Sequence, residues 1–482
     1  MQRTFLVNLI LLVVVNLLVK PLAIFGIDAR VQNVVGTETY GWYFSLLNLS
    51  FLFNMLMDLG MNNLTTKEVA QNPGKAAENA GKLVVLRLVL FIVYALFTMV
   101  LGLFIGYQGN QMNLLFVLVF NQLLVTFIAY LRSHLGGLHL FKQDAFISVL
   151  DRGILILWAG YLLFFSSSNN EFKIEWFVYI QTAGYLVTLL VALWIVLKKI
   201  GIPVVKWKPV FLLATLKKSI PYALLVFLMM AYTRTDTVML ERLHPKGNYE
   251  AGIYAQGYRL LDACYMFAMI FANLLFPIFS RLLHKNKDEV GSMLRLGRNL
   301  LLGGAVLIAF VSFGHPRYLL SFLYTSDVEH SAKVFPWLMG AFVGMSLTLI
   351  YGTLLTAAGN LRFLNLLSVV AIVLSVGLNF FLIPAFGAMG AAWTACTIQV
   401  LVGLAQLVYC HRKFSFNEGK SNMIGFLLVI VCQVPLLFIP FPESIAILVS
   451  LSIGLLSLFL FRLLSVGTLL ELGKMGRVNT GE

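Results

Sequence analysis

The chain has 482 residues, 60% of them hydrophobic and 12% charged, with a mean hydropathy of +0.88. Ordinary globular domains carry roughly 25% charged residues, so a water-soluble shell is excluded and the apolar surface must face lipid. The formal net charge of +14 would point to nucleic acid in a soluble protein, but here it sits in the connections between apolar runs, and no nucleic-acid partner is expected.

About fourteen runs are long enough to cross roughly 30 Å of hydrocarbon, which predicts an all-α polytopic membrane protein. Span 1 is expected over 5–27 and to be uncleaved, because Lys20 and Pro21 follow its apolar start where a leader would need small residues. Asn16 and Lys20 are four apart and share a face. Pro21 weakens the helix behind them, freeing backbone groups that a polar cavity would satisfy. Spans 2 to 6 follow at 42–62, 83–106, 112–131, 147–165 and 175–197. Asp58, near the inner end of span 2, reads as a cap, and Asn54, Asn121 and Gln122 as interhelical glue.

A basic linker, 201–218, leads to span 7 at 219–240, which ends in "YTRTDTVML". A charge near mid-membrane costs about 2.5–3.5 kcal/mol, yet Arg234 and Asp236 stand there two residues apart. Helix geometry points them about 200° from each other, so each needs a partner elsewhere. Span 8 (251–277) carries Gln256, Arg259 and Asp262 in steps of three on one face. Spans 9 to 12 are expected at 299–314, 334–356, 363–383 and 388–410, with Asn379 and Gln399 as further glue. The connection 314–333, with His315, Arg317, Asp327 and His330, reads as a short interfacial helix. Spans 13 and 14 lie at 422–439 and 443–461, and 462–482 form a tail.

With the N-terminus in the cytoplasm, most of the 35 Lys and Arg fall in inner connections, which sets both termini inside. The four cysteines lie in or beside apolar runs and predict neither a disulfide frame nor a metal site. No phosphate-cradling GxxxxGK[ST] loop and no HExxH spacing occur, so neither a nucleotide nor any other cofactor is expected. Coupling to H+ or Na+ is left open. A weak repeat pairs "ETYGWY" before span 2 with "EAGIY" before span 8, and "GGLHLFKQ" after span 4 with "AAGNLRFL" after span 10. It divides the chain into a lobe at 1–200, the linker 201–218, a second lobe at 219–412, an appended pair at 422–461 and the tail 462–482, the lobes being parallel six-helix units.

Lys20, Arg234, Arg259, Asp236 and Asp262 are all expected in the outer half of the bilayer and sum to one positive charge. Two local readings compete. Arg259 and Asp262 suit a self-neutralising pair, and Lys20 and Arg234 suit snorkelling to headgroups. As a set, the five suit a wet, cationic cavity for an anion.

The order of "VKPLAIFG" (19–26), "YGWYFSLLN", "LMDLGMNNLTTKEVA" (56–70), "YTRTDTVML", "AGIYAQGYRLLD", "LLFPIFSRL" (274–282) and "NFFLIPAFGAMGAAWTAC" (379–396) resembles the Wzx-type, O-antigen polysaccharide-repeat flippases of the multidrug/oligosaccharidyl-lipid/polysaccharide (MOP) exporter superfamily. The resemblance implies two six-helix lobes in a V around a central cavity, in a bacterial cytoplasmic membrane. It implies a flippase, not an enzyme, that carries a polyprenyl-pyrophosphate-linked oligosaccharide outward by alternating access. Membrane lipids, a glycan polymerase and glycosyltransferases are the implied partners. Lys20 and Arg259 stand where related lipid II flippases have cavity cations, although a lysine in place of an arginine loses bidentate geometry and span 2 offers no arginine. In this assignment Lys20, Arg234 and Arg259 attract the pyrophosphate, Asn16 and Gln256 bond phosphate or sugar, and Asp236 and Asp262 position the cations or take a coupling ion. Two alternatives stay open: a drug antiporter on the same fold, needing an acidic cavity, and a glycan polymerase or ligase using 314–333.

Overall fold

The computed structural model describes residues 14–72, 74, 76–165, 172–203, 209–285, 287–414, 420–437, 442–461 and 463–464. The expected start of span 1, most of the outer loop 166–175, residues 204–208 of the linker and nearly all of the tail lie outside the described residues. Among those described, every regular element is helical. Packing divides the chain into two compact units, 1–252 and 253–482. This boundary follows helix contacts, whereas the sequence division at 201–218 follows the spacing of repeated motifs.

In the first unit, helix α1 occupies 14–35 and widens to a π-helix over Ala23–Asp28 before ending at Gly36, whose φ of 86° needs a glycine. The sequence expectation ended this span at 27. The polar stretch that follows stays helical because its polar groups are buried and bonded: Asp28 accepts from the Tyr40 hydroxyl at 2.8 Å, and the Gln32 amide donates to the Gly252 carbonyl at 2.9 Å. Pro21 does not break the helix. The π segment begins two residues after it, a common relaxation where the hydrogen-bond ladder is interrupted.

Helix α2 (Thr37–Leu52) passes through a 3-10 turn at Asn54–Met57, and left-handed Leu59 and Gly60 lead into α3 (Met61–Gln71). Then come α4 (Ala76–Ile105), α5 (Asn110–Gly137), α6 (Phe141–Phe164), α7 (Ile174–Ile200) and α8 (Pro209–Leu243). Ile128, Leu131 and Leu135 of α5 bury against Ile147 of α6 and Ala192 and Val196 of α7, while Leu88, Ile92 and Leu96 of α4 face outward, as a lipid-facing helix requires. Helix α8 packs on α2 and starts ten residues before the expected span, so the C-terminal half of the expected linker is helix. The start of α9 (Gly247–Lys285) completes this unit. There the repeated motif has a physical meaning: a Cβ on Gly41 would sit 1.8 Å from the Asn248 carbonyl, and one on Gly252 would sit 2.0 Å from that of Thr37.

The second unit holds the rest of α9, α10 (Lys287–Gly314), the short α11 (Pro316–Ser321) and α12 (Val328–Leu347). Helix α12 runs on through a π segment, Thr348–Gly352, to Ala357. The helix Leu361–Phe414 is two helices, α13 and α14, meeting at Gly387 with φ 54° and ψ −131°. Helix α12 is the most buried of the unit and packs along them, close enough that a Cβ on Gly344 would meet the Gln399 backbone at 2.3 Å. Helices α15 (Lys420–Gln433) and α16 (Glu443–Leu460) join α10 through a core of Leu307, Val429 and Leu458.

Among the described residues, ten helices are long and apolar enough to cross a membrane. Leu361–Phe414 among them, two helices joined at Gly387, is long enough for two passes. The expected spans 1, 2 and 13 correspond to α1, interrupted by its π segment, and to α2 and α15, which are 16 and 14 residues long. The chain is a multi-pass membrane protein.

Candidate functional site

Helix α6 carries Asp144 three residues after its first residue, then Ser148, Asp151 and Arg152. The side chain of Asn16 donates to the Ser148 hydroxyl at 2.8 Å, which sets α1 against this stretch. One turn further on, Lys20 lies within electrostatic reach of Arg132, Arg152, Asp151 and Asp144. Arg132 is held by two hydrogen bonds to Asp144, of 2.6 and 3.3 Å, and Arg152 stands 3.4 Å from Asp151. Each carboxylate in the group therefore already has an arginine, and among the described residues Lys20 makes no ion pair or hydrogen bond. Three cations face two carboxylates. The cluster holds one positive charge in excess inside a low-dielectric surrounding, where charge–charge terms are far stronger than in water.

The end of span 1, not reached at 27, changes the setting of Lys20. Asp151 lies ten residues into α6, about 15 Å at 1.5 Å per residue, and α1 continues fifteen residues beyond Lys20. The span ends at Val35 and not at 27, which leaves Lys20 well short of its C-terminal end.

Arg234 and Asp236 do point apart. A guanidinium nitrogen of Arg234 donates to Asn48 Oδ1 at 3.1 Å, and its carbon lies 5.6 Å from the Phe51 ring centre, both on α2. Asp236 is buried and accepts from the Thr237 amide at 3.0 Å. Arg234 is therefore tied to α2 within the first unit, and Lys20 is not among its partners in the described residues. Gln256, Arg259 and Asp262 belong to the second unit. Arg259 and Asp262 are 3.9 Å apart, the self-neutralising pair that the spacing allows, and both have further partners. Gln256 is fully buried; its amide nitrogen donates to the Ser326 carbonyl at 3.2 Å, while its Oε1 has no partner among the described residues.

Several buried charges escaped the sequence reading. Arg87 is 1% exposed and gives one nitrogen to both Asp58 Oδ1 (2.9 Å) and Asn62 Oδ1 (2.8 Å), with its carbon 4.5 Å from the Tyr130 ring centre. Asp58, expected as a cap at the inner end of span 2, instead accepts from the Asn62 amide in the first turn of α3 and anchors an arginine as well. Glu241 accepts from the Tyr107 hydroxyl at 2.5 Å and pairs with Arg242 at 3.2 Å, while Arg242 covers the Tyr107 ring at 4.0 Å. Burial, then the adjacent carboxylate, hold the Tyr107 phenol well above its ordinary pKa. That keeps the proton in place as a donor. Arg87 and Arg152 lie inside the expected spans 3 and 5, where the sequence reading passes over them, while Asp28 and Arg30 fall beyond the expected end of span 1 at 27, eight residues short of the observed end at Val35. Of the amides expected as glue, Asn54 donates to Gln122 and accepts from Thr126, whereas both polar atoms of the buried Asn121 side chain lack a partner among the described residues. Residues 316–321 form the short helix expected after span 9, and Arg317 pairs with Glu329 on an exposed surface.

Comparison with known proteins adds the family. No individually curated protein matches the chain. Among solved structures, it is similar to a multidrug resistance MATE family transporter of the MOP superfamily in an inward-facing conformation, with a TM-score of 0.64, 14% identity, and coverage of 81% of this chain and 94% of that one. The outward-facing form of such a transporter gives a TM-score of 0.58 at 14% identity, covering 83% of this chain and 95% of the other. The lipid II flippase MurJ, in an inward closed conformation, gives 0.62 at 15% identity, covering 94% and 98%. These likenesses establish a MOP-type transporter fold. The family of polysaccharide biosynthesis proteins matches residues 5–283, more than half of the sequence, and the chain belongs to it.

Proposed function

We propose that the protein is a flippase that moves a polyprenyl-pyrophosphate-linked oligosaccharide from the inner to the outer leaflet by alternating access between the lobes 1–200 and 219–412. The observation that carries this reading is the charged cluster around Lys20 where α1 meets α6. It is a cation with no carboxylate of its own, in a polysaccharide biosynthesis protein. A pyrophosphate supplies the missing negative charge. In this reading Lys20 and Arg259 are the main headgroup contacts, and Arg234, tied to Asn48, adds long-range attraction. Asn16 orients α1 through Ser148 and exchanges that bond for a phosphate oxygen. Gln256, whose open atom is an acceptor, takes a sugar hydroxyl in a state that exposes it. Asp236 and Asp262 position the arginines or take a coupling ion. The termini are cytoplasmic, the membrane is the bacterial inner membrane, and a polymerase and glycosyltransferases act on either side of the step.

The test is transfer of a fluorescent polyprenyl-pyrophosphate disaccharide across vesicles containing the full chain. Lys20→Ala is expected to slow transfer about tenfold, the effect of losing about 1.4 kcal/mol of binding, and Lys20→Arg to retain most of it. Wild-type rates in Lys20→Ala would overturn the assignment of the site.

A second reading, a drug antiporter, is favoured by the buried carboxylates Asp28, Asp236 and Glu241 and by the MATE likeness. It predicts that Lys20→Ala leaves export of an organic cation intact and that the disaccharide lipid is not moved at all. A ligase would leave polymer on the lipid carrier in a null strain, whereas a flippase defect strands single repeats on the inner face.

A further inference from the structure

Beyond the charged cluster, α1 and α6 part to form an apolar groove of about 510 Å³, lined by Leu22 and Gly26 on one side and Ile156, Gly160, Tyr161 and Phe164 on the other. Gly26 and Gly160 line it without side chains, and a Cβ on either would meet Leu22 or Ile27 at an ordinary 3.5 Å, so only a larger side chain would fill the space. The outer walls Leu22, Leu157 and Tyr161 are more than half exposed, so the groove opens sideways to lipid.

What distinguishes it from ordinary lipid-facing surface is its two ends. At one end Arg152, within electrostatic reach of Lys20, precedes the lining residue Ile156 by one turn on α6, so the cationic cluster lies one helical turn from the groove. At the other end Arg30, one turn after Gly26, lays its guanidinium 5.5 Å from the Phe164 ring centre, and its buried Nε has no partner among the described residues. Neither Lys20 nor Arg30 has a carboxylate partner among those residues. Ten residues separate them, about 15 Å along the helix.

We propose that this groove holds the first isoprene units of a polyprenyl pyrophosphate, with Lys20 receiving the headgroup in the inner-leaflet state and Arg30 receiving it in the outer-leaflet state. The inference rests on the flippase reading and names the tail site that reading lacks. A lipid in the inner leaflet has its head nearer the cytoplasm and its tail outward, the order of Lys20 and then the groove along α1. A lipid in the outer leaflet has the reverse order, and Arg30 followed by the groove supplies it. The volume lies in the range of small-ligand sites, enough for the part of the tail beside the head, while the remainder stays in the membrane. The flat, methyl-bearing double bonds of that part match an aromatic wall of Tyr161 and Phe164.

The experiment uses the full chain in vesicles of phosphatidylethanolamine and phosphatidylglycerol, with a heptaprenyl pyrophosphate carrying a diazirine on its second isoprene unit. Peptides of α1 and α6 are expected to take the label, and a tenfold excess of dipalmitoyl phosphatidylglycerol to leave the labelling unchanged. Gly160→Leu, which fills the groove, should cut labelling there about tenfold, and Arg30→Gln should cut it about threefold when the probe is supplied in the outer leaflet. Leu157→Trp, on a wall 71% exposed, obstructs the groove without entering the packed interior and serves if Gly160→Leu does not fold. Labelling confined to other helices overturns the groove and leaves the flippase reading standing. Absence of any labelling overturns both. Equal labelling by an acyl-chain diazirine phospholipid shows an annular lipid site only and overturns the proposal.

Discussion

Arg87 shows how a single buried charge can be a structural commitment. Its side chain is 1% exposed, and two of its three nitrogens have no partner among the described residues, so Asp58 and Asn62 are its main compensation. Removing one partner of a buried pair costs about 3–5 kcal/mol because the other charge is left behind. Asp58→Ala is therefore expected to destabilise the protein by about 3 kcal/mol, toward the low end because Asn62 remains, read as a fall in melting temperature in detergent. The double variant D58L/R87M should recover much of that loss, since no orphan charge survives; a double variant as unstable as the sum of its singles would refute the pairing. At this scale the sequence told only part. The angular argument separating Arg234 from Asp236 holds, because helix periodicity is rigid. The expected end of span 1 does not, because hydropathy alone closed it at 27, where Asp28 and Gln32 are in fact buried and bonded.

At the level of elements, the repeated motif turns out to mark backbone contact. Gly41 lets α2 approach the start of α9 so closely that a methyl group would overlap the Asn248 carbonyl and the Gly252 amide. Those are backbone atoms and cannot step aside as a side chain end would. Gly41→Ala and Gly252→Ala are each expected to cost about 3 kcal/mol or more by overpacking, and to lower transfer with it. Gly153→Ala and Gly304→Ala, whose added methyls meet nothing within 4 Å, should be neutral or stabilising by up to about 1 kcal/mol through helix propensity. Equal melting temperatures across all four variants would remove any structural reason for the motif. The likeness of "ETYGWY" and "EAGIY" was legible in the letters, but that the two glycines meet was not, since two short motifs more than 200 residues apart carry no distance. The π segment of α1 is a similar case. Pro21 announced a disturbance, and only the packed structure shows it spread over Ala23–Asp28 as a widened turn that keeps the helix continuous.

For the molecule as a whole, hydropathy made the fold class plain because lipid admits few solutions: every backbone group must be bonded within its own helix. Charge is the remaining whole-molecule quantity, and it decides how transport would be driven. In the flippase reading proposed above, the membrane potential and ion gradients are the sources of energy to test for outward transfer. Each negative charge carried outward across 100 mV, negative inside, gains about 2.3 kcal/mol. A dianionic pyrophosphate crossing by itself would gain about twice that; crossing with one neutralising cation, it would gain about half as much. In the second case the return of the unloaded, positively charged site is drawn inward by the same field, so the whole cycle still moves two charges. An interior-negative potential is therefore expected to speed outward transfer in either case. Vesicles given a potassium gradient and valinomycin test this directly. Transfer of the fluorescent disaccharide lipid should rise several-fold at 100 mV relative to zero, and Lys20→Ala should flatten the dependence if Lys20 is the returning charge. Rates indifferent to the imposed potential, in wild type and variant alike, would leave ion coupling through Asp236 or Asp262 as the driving force and exclude charge movement of the substrate.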